Sequence, residues 1–185
     1  MNEALNVIAN RYSCRAYDGI LPDKEKLEAI ALAAVQSPSG MNRQPWKIVV
    51  VTDKAFIDDM DAEGMHILAG HEDKAIYERM MARGGKLFYD APCMFFILKQ
   101  PGMDLDCGIV SENIALAAAA LGLGNCICGM ARISLSGEKG DVFKQKIGIA
   151  DGWEFGMSVL VGYAKEVGTP HTPDMSKICF VDDKI

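Results

Sequence analysis

Short runs of β-branched and apolar residues, set between helical stretches, constrain this chain more than any other feature. KIVVVT at residues 47–52 and CMFFILK at 93–99 have the composition of buried strands. NCICGM at 125–130 and MSVLVG at 157–162 repeat the signal, and KICFV at 177–181 offers a last strand. Helical patterns lie between them. Asn2 caps a first helix whose Leu5, Ile8 and Ala9 share a face. Pro22-Asp23 opens a second, with Leu27, Ile30, Ala31 and Ala34 in register. Residues 54–83 form a methionine-rich helical stretch with Gly64 and Gly70 inside it, which points to a mobile pair of short helices. The longest helix runs from about Asp106 to Leu121 and ends at Gly122. Ser136 is placed to cap a short helix containing Val142, Phe143 and Ile147. Helices and strands interleaved over 185 residues fit one domain, α/β or α+β, with a real core.

Several function classes are excluded at this level. The glycines after Leu121 follow a helix, so there is no strand–GxGxxG–helix unit, and neither a Walker A motif nor HExxH occurs. His66, His71 and His171 are too dispersed for a local metal motif. A net charge of −6 with no dense basic cluster argues against nucleic-acid and membrane-surface partners. An anionic ligand therefore needs a locally built cationic site. The apolar stretch at 114–124 is too short to span a bilayer. The start, MNEALNVIANRY, lacks the basic and apolar regions of an export signal, so the six cysteines are expected as reduced thiols in the cytoplasm.

Two polar stretches carry the chemistry. RYSCR places Arg11, Ser13 and Arg15 at alternating positions, all on one side if the backbone is extended. Such a row suits a phosphate or a polar ring edge, or else it is a solvated basic turn pairing with carboxylates. SPSGMNRQPW at 37–46 offers Ser39, Asn42 and Gln44, with backbone freed by Gly40 and Trp46 as an anchor. Side-chain amides both donate and accept, which suits a heterocycle with alternating carbonyl and imide groups. The same residues also make ordinary helix-to-strand turns. Cys126 and Cys128 face one way on a strand, where a disulfide is strained, so they read as buried thiols. The alanines of ENIALAAAAL let another backbone approach closely, in the same subunit or a second one.

Taken in order, RYSxR, then PSxxNxQPW before an apolar strand, then DCGIVSENIALAAAALGLG, then Gly162-Tyr163 after MSVLV resemble the FMN-dependent nitroreductase family. The resemblance covers nearly the whole chain, which is short for the family. It implies an α+β fold with a central, mainly antiparallel sheet flanked by helices, in an intertwined homodimer. It implies one FMN-binding domain over residues 1–185, with a lid excursion at about 54–90 and a tail at 163–185 reaching across the partner. Arg11 and Ser13 would face the FMN phosphate and ribityl, with Tyr12 in the same cofactor-binding stretch. Arg15 would face the N1–C2 carbonyl side. Pro38, Ser39, Gly40, Asn42 and Gln44 would meet the flavin from the partner subunit. Backbone near Cys128 and Gly129 would approach N5 and O4, and His171 is the nearest match to a C-terminal phosphate ligand. No side chain is implied as nucleophile and no metal is implied. Hydride would pass from NADH or NADPH to flavin N5 and on to a nitroaromatic or quinone in a ping-pong cycle. Dehalogenation, enoate reduction, flavin fragmentation and non-catalytic flavin binding remain open on the same fold.

Overall fold

In the segment Cys93–Lys99 every residue is buried, so this strand must be covered on both faces. The structure, a computed structural model, describes residues 2–181 and builds the molecule around that strand. The strands are β1 (Trp46–Val51), β2 (Cys93–Lys99), β3 (Gly124–Cys128) and β4 (Glu154–Gly162). They pair antiparallel throughout in the order β1-β2-β4-β3. Side chains of β2 alternate between two cores, as strand geometry requires. Cys93, Phe95 and Ile97 face one core, and Met94 and Phe96 face the other.

The helices are α1 (Glu3–Asn10), α2 (Lys24–Val35), α3 (Lys54–Gly70), α4 (Ala75–Met81), α5 (Asp104–Ala120), α6 (Ala131–Ser134) and α7 (Gly140–Lys146). Leu27, Ile30 and Ala34 of α2 and Val110, Ile114 and Ala118 of α5 fill the first core. Phe56, Ile57 and Met60 of α3, with Ala131 of α6 and Phe143 of α7, fill the second. The result is helix, sheet, helix: three layers with two apolar interfaces. Helix α5 ends in a Schellman turn. Gly122 adopts φ +74°, its N–H bonds to the Ala119 carbonyl at 3.0 Å, and the Leu123 N–H reaches Ala118 at 2.9 Å.

Four sequence readings are corrected. β1 is an edge strand, exposed at Lys47 and Val50, rather than a buried one. Gly64 does not interrupt α3, which is continuous across it. A Cβ at Gly64 would lie 2.3 Å from Leu87 Cδ1 and 2.7 Å from Ser134 Oγ, so the glycine marks close packing. Ser136 caps nothing: its hydroxyl donates to the Ile133 carbonyl, and α7 starts at Gly140. KICFV is not a strand in this chain: a 3₁₀ turn at Met175–Lys177 is followed by exposed coil to residue 181. Residues 182–185 of the expected tail lie outside the described residues. Among those described, no helix is long and apolar enough to cross a membrane.

The stretch at 54–90 has two characters. Helix α3 is built into the core, whereas α4 leaves Ile76 and Met81 exposed. The corner after α4 is tied back to α3. The buried Asp61 carboxylate accepts from the Phe88 N–H at 2.8 Å, and burial pushes the Asp61 carboxyl above its ordinary range. Lys54, Asp58, Lys86 and Asp90 alternate in one ion-pair ladder beside it.

Gly64→Ala is expected to destabilise the protein by about 1–3 kcal/mol through overpacking against Leu87 and Ser134. Thermal or urea unfolding checks this. Gly70→Ala is the control, because nothing lies within 4 Å of a Cβ there, and it should leave the midpoint unchanged or raised.

Candidate functional site

Backbone hydrogen bonds decide where the RYSCR residues go. The chain leaves α1 in extended conformation at Arg11 and runs along the free edge of β3. The Cys14 N–H donates to the Asn125 carbonyl at 2.8 Å, and Ser13 forms a parallel bridge with Asn125. Further on, the Asp18 N–H bonds to the Tyr163 carbonyl at 3.1 Å and the Lys165 N–H to the Ala16 carbonyl at 3.0 Å. Cys14 turns inward and is buried against Gly124, where a Cβ would sit 2.8 Å from its sulfur. Alternation then sets Arg11, Ser13 and Arg15 on the opposite side.

Cys126 and Cys128 of β3 are buried in the same core as Cys14. The charges of Arg15 and Arg11 bear on the Cys126 sulfur, which lies in the same neighbourhood. Arg15 also acts on Cys128. Burial dominates both thiols, raising Cys126 and pushing Cys128 up to about 12, so both are protonated at neutral pH. Cys128 is held through its carbonyl, which accepts from Ser158 Oγ at 2.5 Å. Gly129 follows at the strand end beside Met157. Arg11 is largely buried, with its Nε 3.9 Å from Glu112. Tyr12 faces away from this row. Its ring packs on Gly168 and its hydroxyl donates to the Glu166 carbonyl at 3.4 Å.

Sequence reasoning missed Asn125. The residue borders a cavity of about 530 Å³ that Arg11 and Tyr12 also line, and its carboxamide oxygen is buried without a partner. Its neighbourhood to Ser13 depends on a long-range bridge that no local pattern announces. Glu112, one face of α5, was missed for the same reason.

The loop at 37–45 is unusually shaped. Met41, Asn42 and Gln44 have φ of 55°, 53° and 49°, left-handed conformations that favour glycine and cost roughly 1 kcal/mol or more each, less for Asn. Internal bonds hold this shape. The Gln44 N–H donates to Ser39 Oγ at 2.9 Å, the Gln44 side-chain amide to Asn42 Oδ1 at 3.2 Å, and the Asn42 N–H to the Ser39 carbonyl at 3.0 Å. Trp46 is buried and anchors the far end, as its size suggested. Pro38 and Gly40 shape the entry, and residues 39–44 stay largely exposed. The loop adjoins β1, whereas Arg11 to Arg15 line β3, at the other edge of the sheet. Three inter-strand steps, roughly 14 Å, separate the two edges. One chain alone does not bring the two stretches together. His171 is exposed and makes no hydrogen bond or ion pair among the described residues.

The Nitroreductase family model matches residues 8–163, from the end of α1 to the close of β4. The chain belongs to the nitroreductase family. A protein of Archaeoglobus fulgidus assigned as an NADH dehydrogenase/NAD(P)H nitroreductase is 29% identical over 167 residues, 90% of this chain and 88% of its own length. A nitroreductase from Desulfitobacterium hafniense DCB-2, solved with bound FMN, superposes with a TM-score of 0.95 at 47% identity, covering 98% of this chain and all of that one. The fold, though not the sequence, is also that of an iodotyrosine deiodinase solved with FMN and 3-iodo-L-tyrosine, at TM-score 0.72 and 16% identity over 97% of this chain.

In this nitroreductase-family chain the available donors are guanidiniums, a hydroxyl and backbone N–H groups. None is a nucleophile or base at neutral pH, and among the described residues no cluster of His, Cys, Asp or Glu could hold a metal ion. Such a set binds and polarises an anionic or carbonyl-rich molecule. In native protein at neutral pH the five buried cysteines should resist iodoacetamide, and all six should react after denaturation, as mass spectrometry will count. Rapid native modification of Cys126 or Cys128 would overturn their purely structural role.

Proposed function

We propose that this protein is an FMN-dependent oxidoreductase that draws reducing equivalents from NADH or NADPH and delivers them to nitroaromatic or quinone-like acceptors. The observation that carries the reading is the row Arg11, Ser13, Arg15, bridged to Asn125 at the edge of β3, in a chain 47% identical to an FMN-bound nitroreductase.

The residues fit the cofactor chemically. Two guanidiniums and a hydroxyl suit a phosphate and its neighbouring polyol. FMN, when bound, supplies two-electron transfer between a nicotinamide donor and the acceptor. The chain supplies the rest. Arg11 and Ser13 would hold the phosphate and ribityl. Arg15 would supply a fixed positive charge to stabilise the reduced, anionic flavin. Backbone N–H groups at Cys128 and Gly129 would polarise the ring, and Tyr12 braces the segment at 163–168.

The second half of the site comes from a second copy. Pro38, Ser39, Gly40, Asn42 and Gln44 cannot reach their own chain's row, so a homodimer in which each copy lends its loop to the other completes both sites. Exposed Leu5 and Ile8 of α1 and Leu32 and Val35 of α2 supply apolar surface for that contact. Ile178, Phe180 and Val181 are exposed, and the free edge of β1 is unpaired, which suits a tail that reaches across and adds to the partner's sheet. The exposed α4 is the part of 54–90 that shapes substrate access, and a cytoplasmic location fits the reduced thiols. Dehalogenation is the second reading, favoured by the likeness of fold to the iodotyrosine deiodinase.

Purified protein is expected to be yellow. NADH under argon should bleach it and a nitroaromatic should restore the colour. Protein that neither carries nor takes up FMN would overturn the reading. Arg15→Ala should slow flavin reduction at least about tenfold, equivalent to about 1.4 kcal/mol of barrier, by stopped-flow absorbance. Removing residues 177–185 should shift sedimentation from a dimer toward a monomer and lower FMN occupancy together. A truncated chain that stays dimeric and fully loaded would argue against the exchanged tail.

A further inference from the structure

At the end of the cofactor row, one small hollow of about 130 Å³ gathers cations from three separate parts of the chain, Arg15 of the row itself, Arg83 with Lys86, and Lys165, with the Asp90 carboxylate also in its wall. Lys86 is neutralised by Asp90 and Asp58. Among the described residues, Arg15, Arg83 and Lys165 pair with no carboxylate, although most lysines elsewhere do, as in the pairs of Lys54, Lys99, Lys139 and Lys146. The chain as a whole is acidic, at −6. Arg43, Arg79 and Arg132 also pair with no carboxylate among the described residues, so what sets these three cations apart is that one hollow gathers them, where they repel one another.

The backbone holds them there. The Lys165 N–H bonds to the Ala16 carbonyl, which makes Lys165 a cross-strand neighbour of the Arg15–Ala16 segment. Arg83 ends the turn after α4, where Gly84 and Gly85 adopt φ of 97° and 73° and the Arg83 N–H bonds to the Met80 carbonyl. The following corner is pinned to α3 through Asp61 and Phe88. Arg83 thus stands on a braced turn rather than on a free loop.

We propose that Arg83 and Lys165, with Arg15 between them and the flavin row, form a subsite for the carboxylate of an anionic aromatic acceptor. The inference rests on the flavin reading above and narrows its acceptor class. The hollow has room for a single oxyanion group and not for a nucleotide. Guanidinium and ammonium groups from two sides give a planar carboxylate charge-assisted bonds and relieve their mutual repulsion. The reacting ring of the acceptor then lies toward Arg15, on the side of the flavin.

The test uses FMN-loaded protein with 4-nitrobenzoate and the uncharged 4-nitrobenzamide as acceptors. The variant carrying Arg83→Ala and Lys165→Ala should raise KM for the benzoate by at least about tenfold, while KM for the benzamide moves less than about twofold. FMN content and the rate of flavin reduction by NADH should be unchanged. Arg83→Lys should recover part of the benzoate affinity, and added salt should weaken the discrimination in the unaltered protein. Equal effects on both acceptors overturn the subsite. So does an effect confined to NADPH against NADH, which would assign the cations to a donor phosphate. Loss of FMN from the double variant overturns it in favour of the cofactor's own phosphate. Absence of FMN from the unaltered protein defeats the flavin reading itself and is distinguished by the absorbance spectrum alone.

Discussion

The hydrogen bond from the Cys14 N–H to the Asn125 carbonyl is the interaction on which the site depends. It converts an irregular stretch after α1 into an added edge on β3. Cys14 packs into the core at the first bridge and Tyr17 at a second, separate one to Ala164, while Arg15 between them stays exposed. Tyr17 is well buried and its hydroxyl donates to the Leu160 carbonyl, so a register slip would cost the packing of a large ring as well as a hydrogen bond. Gly124 permits the close approach, since any larger residue would meet the Cys14 sulfur. Core packing thereby sets the positions of charges that sit at the surface.

The sheet then keeps the two functional stretches apart. β2 and β4 are buried centrally and β1 and β3 take the edges. The polar loop belongs to one edge and the cationic row to the other. A single chain has no means of closing that distance without dismantling its core. This is the physical reason that a second copy enters the functional proposal.

Much of this was legible in the residues themselves. CMFFILK is so uniformly apolar that only a strand covered on both sides accommodates it, and its bounds are those observed. Asn2 and Gly122 act as the cap and terminator that their types suggest. The extended alternation of Arg11, Ser13 and Arg15 was legible too, but the strand edge that receives it was not, because it lies over a hundred residues away. Gly64 misled because a glycine that breaks a helix and one that admits a neighbouring side chain look alike in sequence. KIVVVT carries no mark separating an edge strand from a central one. KICFV has strand composition and no strand partner in its own chain, and sequence cannot say which surface it would join. The cations at Arg83 and Lys165 converge only once α4 and β4 are folded.

The left-handed residues of the 39–44 loop have a last consequence. Met41 is almost wholly exposed, yet it holds a conformation that most side chains avoid, and the bonds that enforce it come from within the loop. Whatever meets this surface encounters a finished shape and has no ordering entropy to supply on contact. Encounter there is governed by diffusion and orientation rather than by slow remodelling, and the free energy already stored in the loop sharpens its fidelity for one docked geometry over its near neighbours.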